Sequence, residues 1–132
     1  MEDLLLFTDS PFDQTKCQQA LQTVFKGIDV GKDYIHYGKP PKSFAIEAEL
    51  QRENETTDPL DKDIAKRVPI LHPYCTILSY HYESISMAQK VIAALKTVYP
   101  ELYIYDDYEW VGAADDFLKL NYQEIYLNRL NK

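Results

Sequence analysis

The residue types able to do chemistry gather in two places. The first is His72-Pro73-Tyr74-Cys75 followed by His81, an H-x2-C-x5-H spacing. Imidazole and thiolate are sound zinc ligands. If 74–82 is a strand, however, Cys75 and His81 share a face but stand roughly 20 Å apart at strand rise. One ion does not bridge that distance without a bulge, so no metal or other cofactor is expected here. The residues read instead as a buried thiol, a strand histidine and a loop histidine. The second place is 101–116, which carries Glu101, Asp106, Asp107, Glu109, Asp115 and Asp116 and no base. Carboxylates can hold a hard cation such as magnesium. Yet neighbours on an extended strand point to opposite faces, and neither a calcium-loop spacing nor a phosphate-cradling glycine motif is present. Three readings stay open: a solvated acidic loop, a recognition patch for a basic partner, and a metal or catalytic acid pair.

Nucleophilic chemistry has less to work with. There is no G-x-S-x-G, kinase or P-loop signature. Cys17 falls within an apolar helical stripe and reads as inert core. The groups an enzyme could use are His36, His81, Cys75 and the Asp106-Asp107 pair, but no nucleophile, base and orienter form a legible set. Gly38-Lys39-Pro40-Pro41-Lys42 is basic and stiff and could touch phosphate; a plain connecting loop is the simpler reading.

These residues must be positioned by a short list of elements. Residues 4–8 read as a buried strand, being brief, apolar and closed by turn residues. Ser10-Pro11 opens a helix, with serine as cap and proline in the first turn. Cys17, Leu21, Val24, Phe25 and Ile28 make one face of it, and Gly27 stops it. Residues 34–37 form a short strand. From Phe44 the period becomes two: Phe44, Ile46, Ala48 and Leu50 point one way, and Ala45, Glu47, Glu49 and Gln51 the other. Residues 53–67 are polar, with a short helix possible from Asp58-Pro59 to Lys66. Residues 74–82 read as a central strand. A second long helix starts at Ser84, buries Ala88, Val91, Ile92, Leu95, Val98 and Tyr99, and ends at Pro100. A strand over 102–106 follows, then 108–111, which either extends it or forms a hairpin arm before Gly112, a short helical turn over 114–120, and a closing amphipathic helix over 122–130. The order predicts one α+β domain over 1–132: a ferredoxin-like sandwich, with an antiparallel sheet, two long helices on one face and a C-terminal helix.

In that architecture the sheet face away from the helices is open unless something covers it. Alternation puts Glu47 and Glu49 opposite Phe44 and Ile46, and Tyr103 and Tyr105 opposite Leu102 and Ile104. The open face then presents acids and tyrosines together, with Asp106, Asp107, Tyr108, Glu109 and Trp110 beside it. Tyrosine and tryptophan supply rigid contact area, and acids steer toward a basic protein. The alternative is that helix 122–130 lies over this face and makes it core.

Composition agrees with a binding role. The 132 residues hold 21 acids and 14 bases, a net charge of −7, with 45% hydrophobic residues and eleven tyrosines. This is globular composition. The acidity argues against a nucleic-acid or anionic-membrane surface and permits a basic protein partner. The acidic start does not read as a signal peptide, no run is long enough to span a membrane, and two cysteines are too few for a disulfide framework. A cytoplasmic protein is expected. A small, acidic, tyrosine-rich single domain, with 105–110 as its most suggestive stretch, is similar in type to bacterial immunity proteins. That resemblance implies tight one-to-one inhibition of a basic toxin domain. The other reading is a dimeric ferredoxin-like small-ligand protein or enzyme, paired through the open sheet and using Cys75/His81 or Asp106/Asp107.

Overall fold

The computed structural model describes residues 2–32, 34–39, 42–53, 67–70, 74–81, 85–106 and 110–121. Among them the elements run β1 (Glu2–Thr8), α1 (Gln14–Gln22), β2 (Asp29–Val30), β3 (Tyr34–Lys39), β4 (Lys42–Glu53), β5 (Tyr74–Tyr80), α2 (Ile85–Lys96), β6 (Tyr103–Tyr105), β7 (Val111–Ala113) and α3 (Ala114–Lys119). All seven strands join one sheet in the order β2-β3-β4-β5-β1-β6-β7, and every pairing is antiparallel. The fold is α+β.

The two-residue period decides what each strand buries. Leu4 and Leu6 of β1, Phe44 and Ile46 of β4, Leu78 and Tyr80 of β5 and Ile104 of β6 enter one cluster with Cys17 and Leu21 of α1, Val91, Ile92 and Leu95 of α2, and Phe117 of α3. The three described helices therefore pack on the same sheet face. At about 25 cal/mol per Å² of apolar area, this burial is the main force holding the sheet to the helices.

Both long helices are shorter than their apolar periodicity. α1 begins at Gln14, not near Ser10-Pro11, because Asp13 caps it by accepting the Lys16 N–H at 3.0 Å. The Asp13 N–H in turn donates to the Tyr99 hydroxyl at 2.6 Å, a contact across 86 residues that anchors this end. α1 ends at Gln22; Val24, expected on the apolar face, is 46% exposed, and Phe25 returns to the core. α2 ends at Lys96 and unwinds through a turn in which the Tyr99 N–H still reaches the Leu95 carbonyl at 2.9 Å. The predicted Ser84 start, the short helix over 58–66 and the closing helix over 122–130 lie outside the described residues.

β4 keeps a regular ladder with β5 from Phe44 to Glu47, then shifts register between Glu47 and Gln51. A bulge changes which face later residues occupy, so the strict alternation expected through Gln51 is interrupted.

Candidate functional site

The sheet face away from the helices is divided. Over β1, β6 and β7 it is covered. Phe7 and Tyr105 form a second apolar cluster with Val68, and Leu5, Ile70, Cys75, Tyr103 and Val111 pack against it. The cover is the strap 67–70, whose Ile70 N–H bonds to the Val68 carbonyl at 2.8 Å around Pro69. Val68 is 3% exposed.

This corrects the expected open tyrosine face. Alternation placed Tyr103 and Tyr105 on the right side of the sheet, but Tyr105 is 4% exposed beneath the strap and Tyr103 is half-buried. Asp106 is also buried, at 4% exposed; its carboxylate accepts the Trp110 N–H at 3.1 Å, and its own N–H donates to the Trp110 carbonyl at 3.1 Å. It closes the turn between β6 and β7. Trp110 leans to the helix side, 5.8 Å from the Phe117 ring and over Gly112, rather than standing beside the second face. Asp107, Tyr108 and Glu109 lie outside the described residues. Because a Cβ at Gly112 would sit 2.9 Å from the Trp110 ring, Gly112→Ala should push the only tryptophan off Phe117. We expect a loss of about 1–2 kcal/mol in urea unfolding and a red-shifted emission maximum.

Over β2, β3, β4 and β5 the second face carries a different set. Strand register aligns two neighbouring rows across it. One runs Asp29, His36, Ala45, Ser79, Asp3. The other begins Tyr34, Glu47, Ile77, Leu5 before entering the covered half at Tyr105. Asp29 and Asp3 are exposed, Tyr34 is 49% exposed, and His36, Ala45, Ile77 and Ser79 are half-buried. These rows hold three acids and no lysine or arginine. Asp3 is held in place by the Ser79 hydroxyl at 2.7 Å. Tyr34 is held by its ring lying over Gly31, where a Cβ would overlap it, and by Gln14, whose side-chain amide donates to the carbonyls of Gly31 (2.5 Å) and Tyr34 (3.3 Å). The surface is therefore built on a paired sheet, with the Tyr34 ring seated on Gly31 and the exposed Asp3 and Asp29 in the neighbouring row.

Sequence reasoning placed Glu47 on this face and missed Asp3, Asp29 and Tyr34, whose neighbours are set by strand register. Glu49 lies between Glu47 and Gln51, where the β4–β5 register shifts, and belongs to neither row.

The groups considered for catalysis are dispersed. Cys75 packs into the covered cluster, His36 stands in the acidic row, and His81 follows the end of β5; His72 lies outside the described residues. Among the described residues no three metal-ligating side chains come together. Cys17 is 2% exposed, and burial pushes its thiol from 9.0 up to about 11, with the Tyr99 hydroxyl at 3.8 Å acting weakly the other way. It stays a protonated, inaccessible thiol at neutral pH. Burial also raises the Tyr99 phenol. For Cys17 the folded pKa lies above the unfolded one, so its contribution to stability is whole below pH 9.0 and is lost as pH rises through about 11. We expect roughly 2–3 kcal/mol to disappear over that window, read by urea midpoints, and a correspondingly flatter profile in Cys17→Ala.

Among the described residues no helix is long and apolar enough to cross a membrane. Comparison of the chain with protein-family models, curated proteins and solved structures finds no match.

Proposed function

We infer that this chain is a small acidic protein-binding module that captures a basic protein, in the manner of an immunity protein occupying a toxin domain. The observation that carries this reading is the pair of rows on the second face over β2 to β5, with Asp3 and Asp29 exposed, Glu47 at the register position beside Tyr34, and no Lys or Arg in either row. In a chain of net charge −7 they focus negative potential on a surface preset by the sheet, and such a surface speeds encounter with a basic partner. Tyr34 gives that surface apolar contact area. Two copies meeting face to face would bring like charges together, so the surface favours a different protein over a homodimer.

The core order β4-β5-β1-β6, with α1 following β1 and α2 following β5, supports reading the fold as ferredoxin-like, extended by β2 and β3 at one edge and by β7 at the other. Both cysteines are free, which suits a reducing compartment and a cytoplasmic protein.

The test is affinity capture from the source organism's lysate at low and high salt, followed by titration of the purified partner. The reading expects one basic protein, bound one to one and weakened by salt. A salt-insensitive partner, or self-association alone, would count against it.

A further inference from the structure

The acidic rows have a low point at their middle. Ala45 of β4 stands between His36 of β3 and Ser79 of β5 in the register, and it is half-buried. Its methyl is the smallest side chain in either row. The side chains to both sides of it lean away. The Ser79 hydroxyl donates to Asp3, on the β1 side, at 2.7 Å. The Tyr34 ring lies over Gly31, on the β2 side. The space over Ala45 is therefore left between them.

Next to it on β4 is Ser43. Phe44 enters the helix-side core, so alternation turns Ser43 onto the second face together with Ala45. Ser43 is 1% exposed, and among the described residues its hydroxyl is the one buried side-chain group without a hydrogen-bond partner. A buried hydroxyl left unpaired destabilises the fold, and a donor that reaches it removes that cost. Two half-buried histidines adjoin it. The His81 N–H continues the β5 ladder to the Ser43 carbonyl at 3.4 Å, and His36 lies diagonally across from Ser43 on β3. The row through Ser43 runs Gly38, Ser43, His81 and, like the two beside it, holds no lysine or arginine. The spot thus offers an acceptor in an acidic surrounding, with no cation of the chain's own in these rows to occupy it.

We propose that the space over Ala45 is the subsite for one long basic side chain of the captured protein, whose cationic tip donates to the Ser43 hydroxyl once the flanking imidazoles turn aside. The apolar stem of that side chain lies along the Ala45 methyl. Asp3 and Asp29 at the two ends of the row, with Glu47 at the next position along β4, supply the field that favours a cation. A neutral apolar side chain would leave the hydroxyl unpaired, and an anion would meet the acids. The inference rests on the reading of the acidic rows as the docking surface and names the group they anchor. Lysine and arginine share this chemistry, and the test separates them.

The 15N-labelled protein is titrated with butylammonium chloride and, separately, with propylguanidinium chloride, each against sodium chloride at the same ionic strength. We expect saturable shifts at the amides of 36, 43, 45 and 79 and in the imidazole resonances of His36 and His81. The tighter ion identifies the anchor as lysine or arginine. Ser43→Ala should weaken that affinity about tenfold, and Ala45→Val, which fills the space, by as much or more. Ser43→Ala removes an unpaired hydroxyl and no hydrogen bond of its side chain, so its urea midpoint should stay at or above that of the wild type. Lost binding is thereby separated from lost structure. Shifts no larger than those with sodium chloride, or wild-type affinity in Ser43→Ala or Ala45→Val, would overturn the subsite. Failure of the docking surface itself looks different. If the purified partner binds both variants as tightly as wild type but no longer binds Asp3→Lys/Asp29→Lys/Glu47→Lys, the acidic rows stand and the subsite falls.

Discussion

The triple variant Asp3→Lys/Asp29→Lys/Glu47→Lys loses capture of the basic partner by about 100-fold or more while keeping its fold. Each reversal removes an attraction and adds a repulsion, and three changes of about 1 kcal/mol each already exceed a hundredfold. The fold should hold because Asp3 and Asp29 are exposed and neither forms an ion pair among the described residues. Asp3→Lys gives up the exposed hydrogen bond from Ser79, worth about 1 kcal/mol or less. Titration calorimetry and circular dichroism on the same samples separate the two effects. Lost binding with an unchanged spectrum supports the acidic rows as the docking surface; unchanged binding moves the surface elsewhere.

Val68→Asp has the largest expected effect on stability. Val68 is the buried residue of the strap, set against Phe7 and Tyr105. A carboxylate there either stays buried among apolar side chains or pulls the strap away and exposes both rings. Either outcome costs about 3 kcal/mol or more. The urea midpoint should fall sharply and binding of a hydrophobic dye should rise, whereas Val68→Ile should leave both near the wild type. Under conditions where the variant remains folded, partner capture should persist, because the strap covers the other half of the sheet. A variant as stable as wild type would show that the strap does not hold the second cluster closed.

Much of the scaffold was legible because periodicity reports local burial. The alternation from Phe44, the apolar run before Thr8 and the stripe from Ala88 to Leu95 all became the elements they implied. The departures have tertiary causes. Ser10 and Asp13 are both good caps, and Tyr99, distant in sequence, ties down the Asp13 end. β2 spans two residues and has no period to read. Tyr105 was assigned to the correct face, but its cover, Val68 and Ile70, lies in a turn around Pro69 with no period to read. Trp110 sits among acids in sequence, yet Gly112 leaves a floor for its ring and Phe117 a wall.

The candidate surface was only half legible for a similar reason. Glu47 could be placed from its own strand. Asp3 and Asp29 belong with it only through the pairing of β2 with β3, β3 with β4, β4 with β5, and β5 with β1. Long-range register of this kind is set by packing and turns across the whole sheet, not by a window of sequence.

Hydrogen exchange of the complex with the captured basic partner tests the central claim most directly. Bound protein should show slowed exchange at the amides of 29–36, 43–47 and 77–79, with little change along α1, α2 or the strap at 67–70. Protection confined to the helices or the strap, with those strand amides unchanged, would contradict the assignment of the acidic rows as the surface that takes the partner.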